Sequence, residues 1–101
     1  MKDQEFELEV TKVVNFIATI IEEKDIQGHI DVDINGDILN ITTDKGVFVI
    51  NRQLFLKEIW LSSPVSGPYH FAYDGTKWCS KVGDELFSVL SKDLQIEIKQ
   101  P

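Results

Sequence analysis

Carboxylates are the groups best placed to do chemistry in this chain. Residues 1–37 carry ten of its seventeen acids, Asp3, Glu5, Glu7, Glu9, Glu22, Glu23, Asp25, Asp31, Asp33 and Asp37, against the three lysines Lys2, Lys12 and Lys24. The acids and bases beyond Asp37 cancel, so the net charge of −7 sits on the first third. A field of that sign attracts metal cations and basic protein surfaces, and repels nucleic acid and anionic membranes. Glu22, Glu23 and Asp25 fall at the C-terminal end of a predicted helix, where the dipole is already negative and acids cost stability. Like charge kept where it destabilises hints at use. Asp31 and Asp33 share the polar face of the strand that follows. Helix end and strand together would make a strip of oxygen donors for hard cations, with His29 lending a nitrogen. The spacing matches no EF-hand, no His-Glu-x-x-His and no two-histidine-one-carboxylate site, so a metal would be held loosely and partly hydrated. A face that serves only solubility is the other open reading.

The second candidate is Trp60. On the strand predicted over 57–61, Ile59 and Leu61 alternate with Glu58 and Trp60. If the aliphatic pair faces the core, Trp60 faces water and can anchor a protein partner. A register shifted by one would bury it. Asn51, Arg52 and Gln53 follow the neighbouring strand and would either form a turn with a local salt bridge or supply polar contacts beside Trp60. Trp78 reads as structural. Nucleophilic catalysis has little support: Cys79, the only cysteine, has no evident activating partner, and His70 alternates with aromatics. The glycines fall at turns, and none forms a phosphate-cradling loop.

These residues need positioning. Residues 3–24 repeat Phe6, Val10, Val13, Val14, Ile17, Ile20 and Ile21 at helical spacing, with Asp3 as the expected N-cap. Residues 29–34 alternate as a strand with one wet face. Asn35-Gly36 predicts a hairpin in which both residues take positive φ. Further strands are expected over 38–42, 47–50, 57–61 and 69–73, and around Trp78. Gly83-Asp84-Glu85 opens a second helix with acids in its first turn, an apolar face of Leu86, Phe87, Leu90 and Leu94, and Lys92 in its last turn. The tail, 95–101, either packs as an extended segment or frays. A helix, a run of strands and a helix imply an α+β, two-layer sandwich, with two helices on one face of an antiparallel sheet of five to six strands, as one domain over 1–101. The N-terminus lacks the marks of a secretory signal or a mitochondrial presequence, and no apolar run can span a bilayer. A cytoplasmic protein with its lone cysteine reduced is the expectation.

Taken together, residues 34–36 (ING), 39–42 (LNIT), 49–53 (VINRQ), 59–64 (IWLSSP), Gly67, 69–71 (YHF) and Trp78 resemble the frataxin family, whose bacterial members are called CyaY. The resemblance runs from the first helix to about Leu90. It implies an iron-binding, non-enzymatic protein of iron–sulfur cluster assembly, acting as iron donor or as iron-dependent regulator of a cysteine desulfurase and scaffold complex. It assigns loosely held iron to Glu22, Glu23, Asp25, Asp31 and Asp33, with Asp3 and Glu7 as weaker members, and a partner-binding sheet patch to Asn51, Gln53 and Trp60. It also implies a bacterial cytoplasmic monomer that can form iron-driven oligomers, with no nucleic-acid or membrane partner. Ala18 and Thr19 stand where bacterial relatives often carry acids, and His29 replaces a further acid, which thins the ridge. The rival readings are a ferroxidase-type iron-detoxifying enzyme at the same acids, and an acidic interaction module that binds no metal.

Overall fold

The computed structural model describes residues 1–99. Helix α1 (Asp3–Lys24) is followed by six strands, β1 (Asp31–Asn35), β2 (Ile38–Thr43), β3 (Gly46–Gln53), β4 (Glu58–Ser63), β5 (Gly67–Tyr73) and β6 (Trp78–Cys79), and then by helix α2 (Leu86–Leu94). The strands form one antiparallel meander in chain order. Both helices cover the same face, so the layout is the predicted α+β sandwich. From α1, Phe6, Val10, Val13, Ile17 and Ile21 are buried, following the helical period. From the sheet, Leu39, Ile41, Phe48, Ile50, Ile59, Leu61 and Phe71 join them, and α2 adds Leu86, Phe87 and Leu90. Phe16 of α1 meets Phe87 of α2 edge to face at 5.5 Å, closing the helical layer.

Several local expectations are corrected. Asp3 does not cap α1: Lys2 holds that position without a side-chain bond, and Asp3 is the first helical residue. Its carboxylate instead accepts from Lys57 Nζ at 2.7 Å. The first strand begins at Asp31 because Asp25 takes the amides of His29 and Ile30 at 2.9 and 2.8 Å, holding that segment outside the ladder. In the first hairpin Asn35 pairs with Ile38, so the loop is Gly36-Asp37 and only Gly36 is left-handed, at φ 60°. Glu85 is the N-cap of α2, accepting from Phe87 N and Ser88 N, and the first turn carries no acid. Lys57 belongs to the β3–β4 turn, at φ 55°.

The connections are held by specific polar contacts. Gly46 lies at φ 128°, and a Cβ there would come within 2.9 Å of Pro64 Cβ. Asp93 of α2 is 3 % exposed; its Oδ2 accepts from Ser63 Oγ at 2.7 Å and from Ser66 Oγ. Ser63 Oγ in turn accepts from the amides of Val65 and Ser66, so the loop between β4 and β5 is fastened to α2 through one carboxylate. The tail packs rather than frays over its described part: Ile98 is buried, and Ser91 Oγ bonds both its amide and its carbonyl. Gln100 and Pro101 lie outside the described residues.

Replacing Asp93 by Ala leaves Ser63 and Ser66 without their buried acceptor, and is expected to lower the unfolding free energy by about 2–3 kcal/mol in a urea titration. Asp74 accepts from the amides of Lys77 and Thr76, which hold its carboxyl below the ordinary range, the Lys77 bond contributing most. A folded value below the unfolded one stabilises above the unfolded carboxylate range and is lost as pH falls through the folded value. Asp74→Asn should therefore flatten the acid limb of the stability curve, read by thermal melts across that range.

Candidate functional site

Strand parity decides which acids and which aromatics share a surface. Ile59 and Leu61 face the helices and are buried, so Trp60 projects from the opposite, open face. The register continues across it: Ile38 opposes Asn51, Asn51 opposes Trp60, and Trp60 opposes His70. Gln53 opposes Glu58 on the same face. Asn51, Gln53 and Trp60, singled out from the sequence, therefore share one surface. Arg52 does not belong with them. It alternates with Phe48 and Ile50 toward the helical layer, where its guanidinium joins Glu7 of α1 to Asp37 of the first hairpin.

His70, which the sequence reading set aside, and Glu58, which alternation placed on the same side as Trp60, complete the Trp60 environment. His70 stacks on the indole with centroids 4.1 Å apart and planes within 4°. Glu58 Oε1 accepts from Trp60 Nε1 at 2.8 Å and lies 4.0 Å from His70 Nδ1. The indole is thus held upright by a polar bond and a flat neighbour, beside a shallow hollow of about 200 Å³ lined by Val49, Asn51, Ser62 and Pro68 among others. The missed signal was the alternation of β5. Tyr69, Phe71 and Tyr73 go one way, so His70 must go the other.

The acids separate into three groups. Asp3 and Glu7 are paired with Lys57 and Arg52, respectively. Asp25 is half-buried, and each of its carboxylate oxygens accepts a backbone amide. Glu22, Glu23, Asp31 and Asp33 are exposed and, among the described residues, have no ion-pair or hydrogen-bond partner. The register puts Asp31 and Asp33 on the open face of the edge strand, opposite Thr42 and Asn40, whereas Glu22 and Glu23 belong to the last turn of α1 in the other layer. Among the described residues no three His, Cys, Asp or Glu side chains converge as a ready-made metal site.

What the structure does bring together is a cleft of about 630 Å³ at the end of the sandwich, where Asp25, His29, Asp31 and Asp44 contribute to the lining. Asp44, in the β2–β3 turn, was not among the sequence candidates. Two lysines also line this cleft, but their ammonium groups are turned to backbone: Lys24 donates to the Glu97 carbonyl at 2.6 Å and Lys45 to the Asp93 carbonyl at 3.3 Å. The donor set is all hard oxygen apart from His29, open to water and only loosely gathered. Such a surface can hold a partly hydrated cation in exchange with solvent, or meet a basic protein.

The two kinds of acid separate by stability. Asp25→Ala frees two amides and should cost about 1–2 kcal/mol. Glu22→Lys or Glu23→Lys relieves the clash with the helix dipole and should raise stability by about 0.3–1 kcal/mol. Urea unfolding of the three variants compares them directly.

A family model described as a frataxin-like domain matches residues 1–100. A mitochondrial frataxin-like protein of Leishmania donovani is 30 % identical over 102 residues, covering 91 % of this chain and 54 % of that protein. The chain thus spans about half the length of that curated relative. The frataxin of Psychromonas ingrahamii, of the CyaY family, superposes with a TM-score of 0.87 at 27 % identity, over 99 % of this chain and 100 % of that one. A yeast frataxin superposes with a TM-score of 0.76 at 26 % identity, over 94 % of this chain and 81 % of that one. A trimeric frataxin from Saccharomyces cerevisiae, in complex with ferrous iron, superposes with a TM-score of 0.73 over 99 % of this chain and 88 % of that one. Its identity of 24 % makes this last likeness one of fold.

Proposed function

This chain belongs to the frataxin-like family, and from that premise we propose that it binds iron as cargo and acts in iron–sulfur cluster assembly, as iron donor or iron-dependent regulator of a cysteine desulfurase and scaffold complex. The observation that carries this reading is the set of four exposed carboxylates without a cation partner, Glu22, Glu23, Asp31 and Asp33. Ferrous iron accepts oxygen donors and retains water readily, so an open, weakly gathered set suits transient holding and release. Asp25 keeps lone pairs for such a cation despite its two amide bonds; Asp3 and Glu7 would first have to leave Lys57 and Arg52. The ferrous complex of the trimeric yeast frataxin supports iron as the cargo.

The acids would serve a second purpose. Four unpaired negative charges attract a basic partner, and screening by salt should weaken that attraction. Trp60, braced by Glu58 and His70, offers an aromatic anchor on the sheet face, with Asn51 and Gln53 as polar neighbours. Iron bound among the acids would reduce their charge and so change the affinity of the docked complex, which is a physical route to iron-sensitive regulation.

The test is a titration of isotope-labelled protein with Fe(II) under anaerobic conditions, read residue by residue. Perturbations should centre on Glu22, Glu23, Asp31 and Asp33, and be weak at Asp3 and Glu7. Glu22→Lys with Glu23→Lys should reduce both the perturbation and desulfurase binding by about tenfold or more while the protein stays folded. Undiminished iron and desulfurase binding in that variant would sink the assignment. Sustained catalytic oxygen consumption with Fe(II) would instead select a ferroxidase. Desulfurase binding without iron binding would select a metal-free interaction module.

A further inference from the structure

The β3–β4 turn carries three consecutive apolar residues that the fold does not use. Leu54 is 40 % exposed, Phe55 102 % and Leu56 59 %, so the phenyl ring stands wholly in water. Isolated exposed aliphatics are ordinary, but a contiguous apolar tip marks an interaction site.

The base of the tip is fastened by specific contacts. Gln53 and Glu58 pair at its base. Lys57 adopts the left-handed conformation, unfavourable for a residue with a Cβ, and is kept there by its own contacts. Its amide donates to the Leu54 carbonyl at 3.2 Å, and its Nζ donates to the same oxygen at 2.8 Å. That ammonium also pairs with Asp3 at 2.7 Å and sits 5.9 Å from the centre of the Phe6 ring. Backbone freedom that a flexible loop would lose on binding is therefore already lost in folding, which favours association.

Charge selects the occupant. The two cations of this hairpin are neutralised, Lys57 by Asp3, and Arg52 by Glu7 and Asp37. Glu58 stands beside them, on a chain of net charge −7. An anionic bilayer would be repelled, and a second copy would bring the same acids face to face. A protein with an apolar cleft and a basic rim satisfies both the tip and its surroundings. The tip also continues directly from Gln53 and Glu58 into the row of Asn51 and Trp60, so one partner can cover both.

We propose that residues 54–56 form a preorganised apolar plug, with Phe55 at its centre, that inserts into an apolar, basic-rimmed cleft on a partner protein. This rests on the reading above in taking the desulfurase–scaffold complex as that partner. The test is calorimetric titration of the purified desulfurase–scaffold complex of the same organism with wild-type protein, Phe55→Ser, a variant with Leu54, Phe55 and Leu56 all changed to Ser, and Val82→Ser. Val82 is another exposed apolar residue, at 86 %, outside the hairpin. Phe55→Ser should weaken binding at least roughly tenfold, as loss of an aromatic anchor does. The triple variant should weaken it further and Val82→Ser not at all, with melting midpoints unchanged. Binding by wild type that Phe55→Ser and the triple variant leave intact would overturn the plug and spare the proposed function. No binding by wild type would overturn both. Sedimentation with phosphatidylglycerol vesicles, or a dimer in solution, would equally overturn the plug if Phe55→Ser abolished either one.

Discussion

Every surface property of this molecule depends on one-sided burial of a regular antiparallel sheet. The helices cover a single face, so in β2 to β5 each residue has one of two fates, set by whether its position is odd or even. Phe48, Ile50, Ile59, Leu61 and Phe71 take the covered side. Asn40, Asn51, Trp60 and His70 take the other. Slipping β4 by one residue would bury the indole and expose Ile59 and Leu61, so the apolar pattern that drives folding also fixes where a partner can dock. The Trp60–His70 stack and the Glu58 bond then need only local geometry, because the register has already placed all three side chains together.

Electrostatics divides the acidic first third by a similar logic. Acids within reach of a cation on the sheet are neutralised: Asp3, Glu7 and Asp37 tie α1 and the first hairpin to the β3–β4 hairpin through Lys57 and Arg52. Acids at the far end of α1 and on the edge strand have no such cation. The charge that looked uniform in sequence thus divides into paired acids, Asp3, Glu7 and Asp37, and unpaired ones, Glu22, Glu23, Asp31 and Asp33. Asp31 and Asp33 also protect β1, whose outer edge pairs with no strand among the described residues, because charged side chains discourage edge-to-edge association.

Much of this was legible in the sequence. The helical period of α1, the alternation in the strands and the order of elements were enough for the two-layer sandwich, and the parity of 57–61 put Trp60 opposite Ile59 and Leu61 while leaving the register that decides its face open. What was missed required a partner distant in sequence. Asp3 looked like a cap because the cap rule is local, whereas its carboxylate answers to Lys57, 54 residues away. Arg52 looked like a neighbour of Trp60 until parity sent it to Glu7. Asp25 looked like a free ligand, yet it organises the turn that follows it. The apolar tip at 54–56 went unremarked because composition cannot separate an apolar residue that packs from one that does not. His70 was the avoidable miss, since the alternation that correctly placed Tyr69 and Phe71 also placed it.

The meander joins only sequence neighbours, while its cover comes from opposite ends of the chain. Strands joined by tight turns can pair as soon as they leave the ribosome, and α1 is already available to shield part of the sheet. The portion covered by Leu86, Phe87 and Leu90 waits for α2 to be made. Nascent chains ending between β6 and α2 would therefore carry a finished sheet with part of its greasy side bare. Apolar surface left bare in that interval is open to aggregation.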